Sequence, residues 1–313
     1  MAGRDYATTT GLDVRLAARQ GKHAGPTAGL APGFLQANML VLPVEYADDF
    51  RQLCARNPVP CPLIAESSCL GSFDSVTGCT PRLTMEGCDL RTDLPAYMVY
   101  RDGKLTRSHC RDVLEEWTGR HVGFLVGCSY SFEAALAAAG LRPRHVALGR
   151  NVPMYRTTLA LCPAGVFTGA TYVVSMRPYR RRDVDRVRAV TRRFGATHGE
   201  PIAWGWEALE ALGIRDVDEP EWGDAPLSEC GTAALGKLKR LQQQKQKQEK
   251  EAEAAAEAAA EDDQEEEEEV PVFWGCGVTP QEAVMRAGLK GVVMAHAPGH
   301  MLVLDAKDED IVS

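Results

Sequence analysis

FLVGCSYSFEAALAAAGL (124–141) is written a second time as VFWGCGVTPQEAVMRAGL (272–289), aligning without a gap over 18 positions, with Gly, Cys, two Ala, Gly and Leu identical. Each copy reads as an apolar strand, a Gly-Cys corner, a Ser or Thr placed to cap a helix, an alanine-rich helix and a Gly that stops it. Between them, Arg144–Leu161 reads as mostly extended and Val166–Met176 as a strand. A basic helix over Arg182–Phe194 and a short strand at Pro201–Trp204 follow. That order is the pattern of a small two-layer α+β unit set between two related strand-turn-helix units, so the expected class is α/β.

The upstream half supplies further elements. GKHAGPTAGLAPG (21–33) is too rich in Gly and Pro for a helix or strand and is expected to be ordered coil. The apolar run Met39–Leu42 ends at Pro43, Tyr46–Arg56 has helical spacing closed by NPVPCP, and Tyr97–Leu105 around Asp102-Gly103 reads as a hairpin. The expected organisation is a body made of residues 1–148 and 270–313, a smaller domain over 149–227, and a charged insertion over 228–269. The insertion is Ala-, Glu-, Gln- and Lys-rich, favours a solvated helix and lacks the apolar seam of a coiled coil.

Charge narrows the partners. The chain of 313 residues carries a net charge of -8, but residues 237–269 hold 6 Lys/Arg against 12 Asp/Glu. The remainder is nearly neutral and has no basic footprint for nucleic acid. No apolar run is long enough to span a membrane and the opening lacks a secretory core, so a cytoplasmic protein is expected. Arg4, Arg15 and Arg19 leave the mitochondrial matrix as the alternative. The ten cysteines show no CxxC spacing, and His296 and His300 in HAPGH are separated by Pro-Gly, so free thiols and no metal site are expected.

The corners are where chemistry is sought. Cys128 and Cys276 stand at strand ends facing helix N-termini, positions that favour anions and lower a thiol's pKa. Thr279-Pro280-Gln281-Glu282 reads as an N-cap, Pro at the first helical position and Glu at the third, with Ser131 and Glu133 the equivalents in the first copy. Arg150 and Arg156 in GRNVPMYRT fall on one face of an unbroken strand, and Arg177 ends the next, so guanidinium groups converge as bidentate carboxylate binding requires. His198, His296 and His300 lie in Gly/Pro corners, and a general acid or base can be any of them.

GPTAGLAPGFLQANMLVLP, LCARNPVPCPLI, DLRTDLPAYMVYRDG, FLVGCSYSFEAAL, GRNVPMYRT, VVSMRP, THGEPI, VPVFWGCGVTPQEAV and HAPGHM occur in this order. Together they resemble the hydro-lyase family that includes the D-glutamate cyclases. The resemblance covers the chain apart from Leu70–Glu86 and residues 228–269. It implies a three-layer α/β body with a smaller α+β domain, and lyase chemistry that closes D-glutamate to 5-oxo-D-proline and water with no cofactor. Set against that reaction, the catalytic candidates are His296, His300, Glu133 and Cys128. The substrate-binding candidates are Arg150, Asn151, Tyr155, Arg156, Arg177, Ser129, Ser131, Cys276 and Thr279. The expected partner is a small dicarboxylic amino acid. The alternatives are hydration or dehydration of another small carboxylic acid, and a non-catalytic dicarboxylate-binding module.

Overall fold

The apolar run at Met39 belongs to β1 (Phe34–Pro43), whose residues beyond Phe34 are all buried. In the computed structural model, which describes residues 9–79, 83, 85, 87–252 and 268–312, β1 is the axis of the larger of two sheets. Arg4, several residues of the Leu70–Glu86 stretch and the acidic end of the insertion (253–267) lie outside the described residues. The other strands are β2 (Leu63–Ser67), β3 (Val76–Gly78), β4 (Tyr97–Arg101), β5 (Lys104–Cys110), β6 (His121–Gly127), β7 (Met154–Ala160), β8 (Thr171–Arg180), β9 (Ala203–Trp204), β10 (Glu269–Gly275), β11 (Val292–His296) and β12 (Leu302–Lys307). The larger sheet runs β3-β2-β6-β1-β11-β4-β5, and the smaller β7-β8-β10-β9. Every strand pair is antiparallel.

Alternation along β1 explains why the large sheet is buried on both faces. Met39 and Val41 join Leu125, Met294 and Val99 on one side, while Leu40 and Leu42 join Phe124, Val126 and Ala295 on the other. The second face is covered by the helices Ala47–Arg56 and Val278–Ala287, which contribute Phe50, Leu53, Ala283 and Val284. The first is covered by irregular chain carrying Leu90, Leu94, Val113 and Trp117. Each fully buried aliphatic or aromatic side chain here stabilises the fold by about 1.5–3 kcal/mol.

The sequence reading of β10 is corrected by its pairing. Although expected in the larger body, β10 lies in the smaller sheet between β8 and β9, with Phe273 opposite Met176 and Ala203. Both of its faces are apolar, Trp274 and Val272 on one and Phe273 on the other, so only a central position buries it fully. Two further boundaries move. Arg144–Ala147 is a short helix, so Arg150 lies outside β7, which begins after Pro153. β8 begins only at Thr171, because Gly165 and Gly169 adopt positive φ and Ala164 pairs back with Phe167.

The two repeated units are exchanged between the sheets. The first copy leaves β6 in the large sheet, and its helix Glu133–Ala138 packs on the small sheet through Leu136 against Tyr179 and Trp274. The second leaves β10 in the small sheet, and its helix packs Ala283 and Val284 on the large one. The Gly-Cys corners are therefore where the chain crosses from sheet to sheet. They meet in one cluster that includes Cys128, Tyr130, Cys276, Val278, Met154 and Val173. The caps are not those expected. Helix Val278–Ala287 has Gly277 as its N-cap, while Thr279 Oγ1 accepts the Val173 N–H and donates to the Val173 carbonyl. Ser131 likewise accepts the Gln36 N–H instead of capping a helix.

Space at the corners is fully used. A Cβ on Gly277 would come within 1.8 Å of Asn38 Nδ2, the group that donates to the Gly127 carbonyl at 2.9 Å. A Cβ on Gly127 would lie 1.9 Å from the Ala196 carbonyl oxygen. Gly277→Ala is therefore expected to destabilise the protein by roughly 1–3 kcal/mol through overpacking, read as a lowered midpoint in thermal unfolding.

Candidate active site

Two polar regions lie beside the crossing point, and they differ in access. The first is closed. Arg177 of β8 is fully buried, and its Nε and Nη2 donate to Glu133 Oε1 at 2.9 and 2.5 Å. Nη2 also donates to Ser129 Oγ at 3.1 Å and Nη1 to Ser175 Oγ at 3.2 Å, while the guanidinium lies 5.1 Å from the Phe132 ring centre and 5.3 Å from that of Trp274. His145 Nε2 stands 3.1 Å from the same Glu133 oxygen. Burial pushes the Glu133 carboxyl up, but the charges of His145 and Arg177 outweigh it and hold the group below the ordinary Glu value. Arg177, Glu133 and Ser129 thus form a buried, hydrogen-bonded ion pair linking the first repeat to the small sheet, with Glu133 Oε1 engaged and Oε2 left without a hydrogen-bond partner. Tyr155 is likewise taken up internally, its hydroxyl donating to the Val217 carbonyl at 2.6 Å.

The corner thiols also correct their expectation. Each sulfur accepts the backbone N–H two residues on, Tyr130 for Cys128 and Val278 for Cys276, so the two copies share one turn geometry. Burial nevertheless dominates and raises both thiols, Cys276 to about 11 and Cys128 further. These are protonated packing groups at neutral pH. Exposed Cys230 is the opposite case, lowered to about 6 first by its hydrogen bond with Ser228 and then by Thr232. Under native conditions at pH 7.5, iodoacetamide is expected to modify Cys230 well before Cys128 or Cys276, as peptide mass mapping would read directly.

The second region is an open cavity of about 450 Å³. Four pieces of chain wall it. The β4–β5 hairpin gives Met98, Tyr100 and His109, and one face of helix Val278–Ala287 gives Val278, Gln281, Glu282 and Met285. The third wall is Asn151 with Trp222, Gly223 and Asp224, and the fourth is Pro26 with Pro298 and His300. The position of His300 follows from the large sheet. β11 pairs with β1 at Leu40 and Val41, β12 pairs with the same edge at Gln36 and Ala37, and the residues between them leave the sheet as a corner. The corner is close-fitting, since a Cβ on Gly299 would come within 2.3 Å of Asn151 Nδ2.

His300 Nδ1 is 3.0 Å from the Pro298 carbonyl, which only accepts, so Nδ1 carries the proton and Nε2 is the basic atom. Burial lowers the pKa of His300 against that carbonyl's opposite effect, and the neighbouring His109 and His23 lower it further, so the ring is neutral at pH 7. His109 meets it edge to face with centres 5.6 Å apart. Asn151 is fixed on two sides, its Oδ1 accepting from the Tyr130 hydroxyl at 2.5 Å and its N–H donating to Asp224 Oδ2 at 2.7 Å. Gln281 is buried and donates weakly to the Tyr100 hydroxyl at 3.4 Å, while its Oε1 has no hydrogen-bond partner. Burial raises the Tyr100 pKa, so that hydroxyl keeps its proton. At the rim, half-exposed Arg156 bonds Glu282 Oε2 at 2.9 and 2.8 Å and stacks over Trp222 at 5.1 Å.

Of the residues named from the sequence, the structure brings His300 and Asn151 into this cavity and Arg156 to its edge. Arg150 lies beside it, donating to the Ala225 carbonyl at 3.3 Å. His296 is fully buried in β11, its Nδ1 3.1 Å from the Met39 carbonyl. Tyr100, His109, Trp222, Asp224 and Gln281 were missed as site residues. Their signal was present, since Tyr100 and Gln281 fall in the motifs AYMVYRDG and TPQEA, but those were read as hairpin and helix cap. Among the described residues no group of His, Cys, Asp or Glu is arranged to hold a metal ion, and no helix is long and apolar enough to cross a membrane.

A two-sheet α/β protein with a neutral histidine at an open, partly apolar cavity has the form of a small-molecule enzyme site. Residues 122–305 match the family model described as D-glutamate cyclase. A relative from Rubrobacter xylanophilus, named "Putative hydro-lyase", is 45% identical over 95% of this chain and 96% of its own length. Relatives with the same designation from Schizosaccharomyces pombe and Stutzerimonas stutzeri are 39% and 41% identical, over 96% and 98% of this chain and 86% and 97% of theirs. The chain belongs to the D-glutamate cyclase family.

Two buried histidines outside the cavity set an acid limit. Burial lowers both His198 and His296 to about 4, from 6.5. The unfolded chain therefore takes up these protons near pH 6.5 and the folded protein only near 4, so their contribution to stability is complete above 6.5 and is lost as pH falls toward 4. Asp308 acts in the opposite sense. Burial lifts its carboxyl from 3.8 to about 7, penalising the fold as pH rises through that range. Two protons against one leaves net acid destabilisation between pH 6.5 and 4. The histidine ring resonances of His198 and His296 should stay at their neutral positions down to about pH 5 in an NMR titration.

Proposed function

We infer that the chain is a lyase that closes D-glutamate to 5-oxo-D-proline and water, with the cavity around His300 as its active site. The observation that carries this is the neutral His300 ring, with Nε2 as its basic atom, at an open cavity in a chain of the D-glutamate cyclase family. Cyclisation needs a neutral α-amine, and D-glutamate arrives as the ammonium. His300 Nε2 takes that proton, with Asp224 and Glu282 favouring the ammonium in the encounter. The amine then attacks Cδ. The oxygen that becomes negative needs donors, which Gln281 Nε2, Asn151 Nδ2 and the protonated Tyr100 hydroxyl offer. The new ring nitrogen gives its surplus proton to one former carboxylate oxygen, making it a hydroxyl. The proton held by His300 then passes to that hydroxyl, so that water leaves and a neutral lactam remains. At the rim, the substrate α-carboxylate displaces Glu282 from Arg156, an exchange that costs little because a half-exposed ion pair is worth little.

The test is purified protein incubated with D-glutamate, L-glutamate and 5-oxo-D-proline, with lactam and amine signals followed by proton NMR. Lactam from D-glutamate is expected. His300→Gln should lower kcat by about 10²–10⁴-fold with an unchanged thermal midpoint, whereas Arg156→Ala should act mainly by raising KM. A folded H300Q protein with full activity would remove His300 from the chemistry.

A further inference from the structure

The cavity carries more apolar surface and less positive charge than a free dicarboxylate calls for. None of its lining residues is Lys or Arg, and two of them, Asp224 and Glu282, are acidic. The cation at its rim, Arg156, suffices for one carboxylate and already has Glu282 and Glu221 beside it. The remaining lining includes Met98, Met285, Trp222, Pro26 and Pro298. Methionines are unbranched and polarizable, and they line sites that accept varied apolar groups. Size points the same way. Glutamate fills roughly 150 Å³, about five waters' share of volume, against a cavity of about 450 Å³.

We propose that the chain also cyclises D-glutamate derivatives whose γ-carboxyl is masked by an apolar amine, that is, D-γ-glutamyl amides, releasing that amine in place of water. This rests on the cavity being the site of lactam formation. The γ-amide is uncharged, so no second cation is needed, and its carbonyl is a better electrophile than an ionised carboxylate. The step balances without a further reactant. His300 Nε2 takes one proton from the α-ammonium, and the resulting amine forms its bond to Cδ. The Cδ–N bond to the leaving amine breaks with its electron pair as His300 gives that nitrogen the proton it holds. The lactam ring nitrogen releases its surplus proton to solvent through the freed Nε2, leaving a neutral lactam. The apolar substituent lies against Met98, Met285 and Trp222.

The experiment compares D-glutamate with D-γ-glutamyl-p-nitroanilide on the wild-type protein. It follows p-nitroaniline by absorbance and 5-oxo-D-proline by NMR, above the rate without enzyme. Equimolar release of both products, with kcat/KM at least about tenfold above that for D-glutamate, is the expected result. Turnover of the anilide alone would support the proposal while overturning cyclisation of the free acid. Turnover of D-glutamate alone would overturn the proposal and leave the cyclase standing, and lactam from neither would overturn both. Met285→Ser is expected to lower the ratio of the two kcat/KM values by about tenfold. An unchanged ratio in the folded variant would remove the apolar wall from substrate selection.

Discussion

No side chain fits at Gly127 or Gly277, and the protein is arranged around that absence. Asn38 from the axial strand fills the space beside Gly277 and ties its amide to the Gly127 carbonyl, so a single side chain touches both crossing points. His198, held in the left-handed region at φ 86 and bonded to the Val59 carbonyl, packs beside Gly275 from another direction. Because the corners are this close, each repeat can leave one sheet and lay its helix on the other. The exchange leaves the helix Val278–Ala287 with one face on the large sheet and another over the cavity, which is how Gln281 and Glu282 come to face the histidine corner.

Much of this was legible in the sequence, and the limits have physical causes. The repeat, the apolar run of β1, the hairpin at Asp102-Gly103 and the helix ended by NPVPCP are local patterns, and each appears in the structure. Strand partners are long-range, so the apolar strand of the second repeat was expected in the larger body although it pairs in the smaller sheet. At the corners the sequence gives residue types and not burial. A Cys facing helix N–H groups reads as an activated thiol, yet once enclosed by Met154, Val173 and Val278 it is a protonated packing group. Arg177 and Glu133 read as two site residues, but a fully enclosed guanidinium must be neutralised nearby and each becomes the other's partner. His300 was found because HAPGHM reads as a Gly/Pro corner, and Asn151 because it stands in GRNVPMYRT, one of the motifs that carry the family resemblance. His109 was not, because its position opposite His300 depends on β4–β5 lying beside β11, which no local pattern reports.

The buried ion pair and the open cavity divide the work of polar groups between them. Replacing a buried pair with apolar residues is often neutral for stability, so its value here is geometric. It fixes the first repeat's helix start against β8. The cavity groups are held differently, by single hydrogen bonds to backbone or side chain that set orientation while leaving one atom of each for other use. The side chains of His300 and Asn151 each have one polar atom engaged in that manner.

The order in which the strands occur along the chain has a consequence for the protein's synthesis. β1 and β6 can pair early, but the second edge of β1 is filled only by β11 and β12, and the edge of β8 only by β10. All three lie between Glu269 and Lys307, beyond the long charged segment. A growing chain therefore carries two unfinished sheet edges until its last residues emerge. Edges of this kind are templates for mispairing. The charged stretch is made just before these closing strands, so the two edges stay open while it emerges.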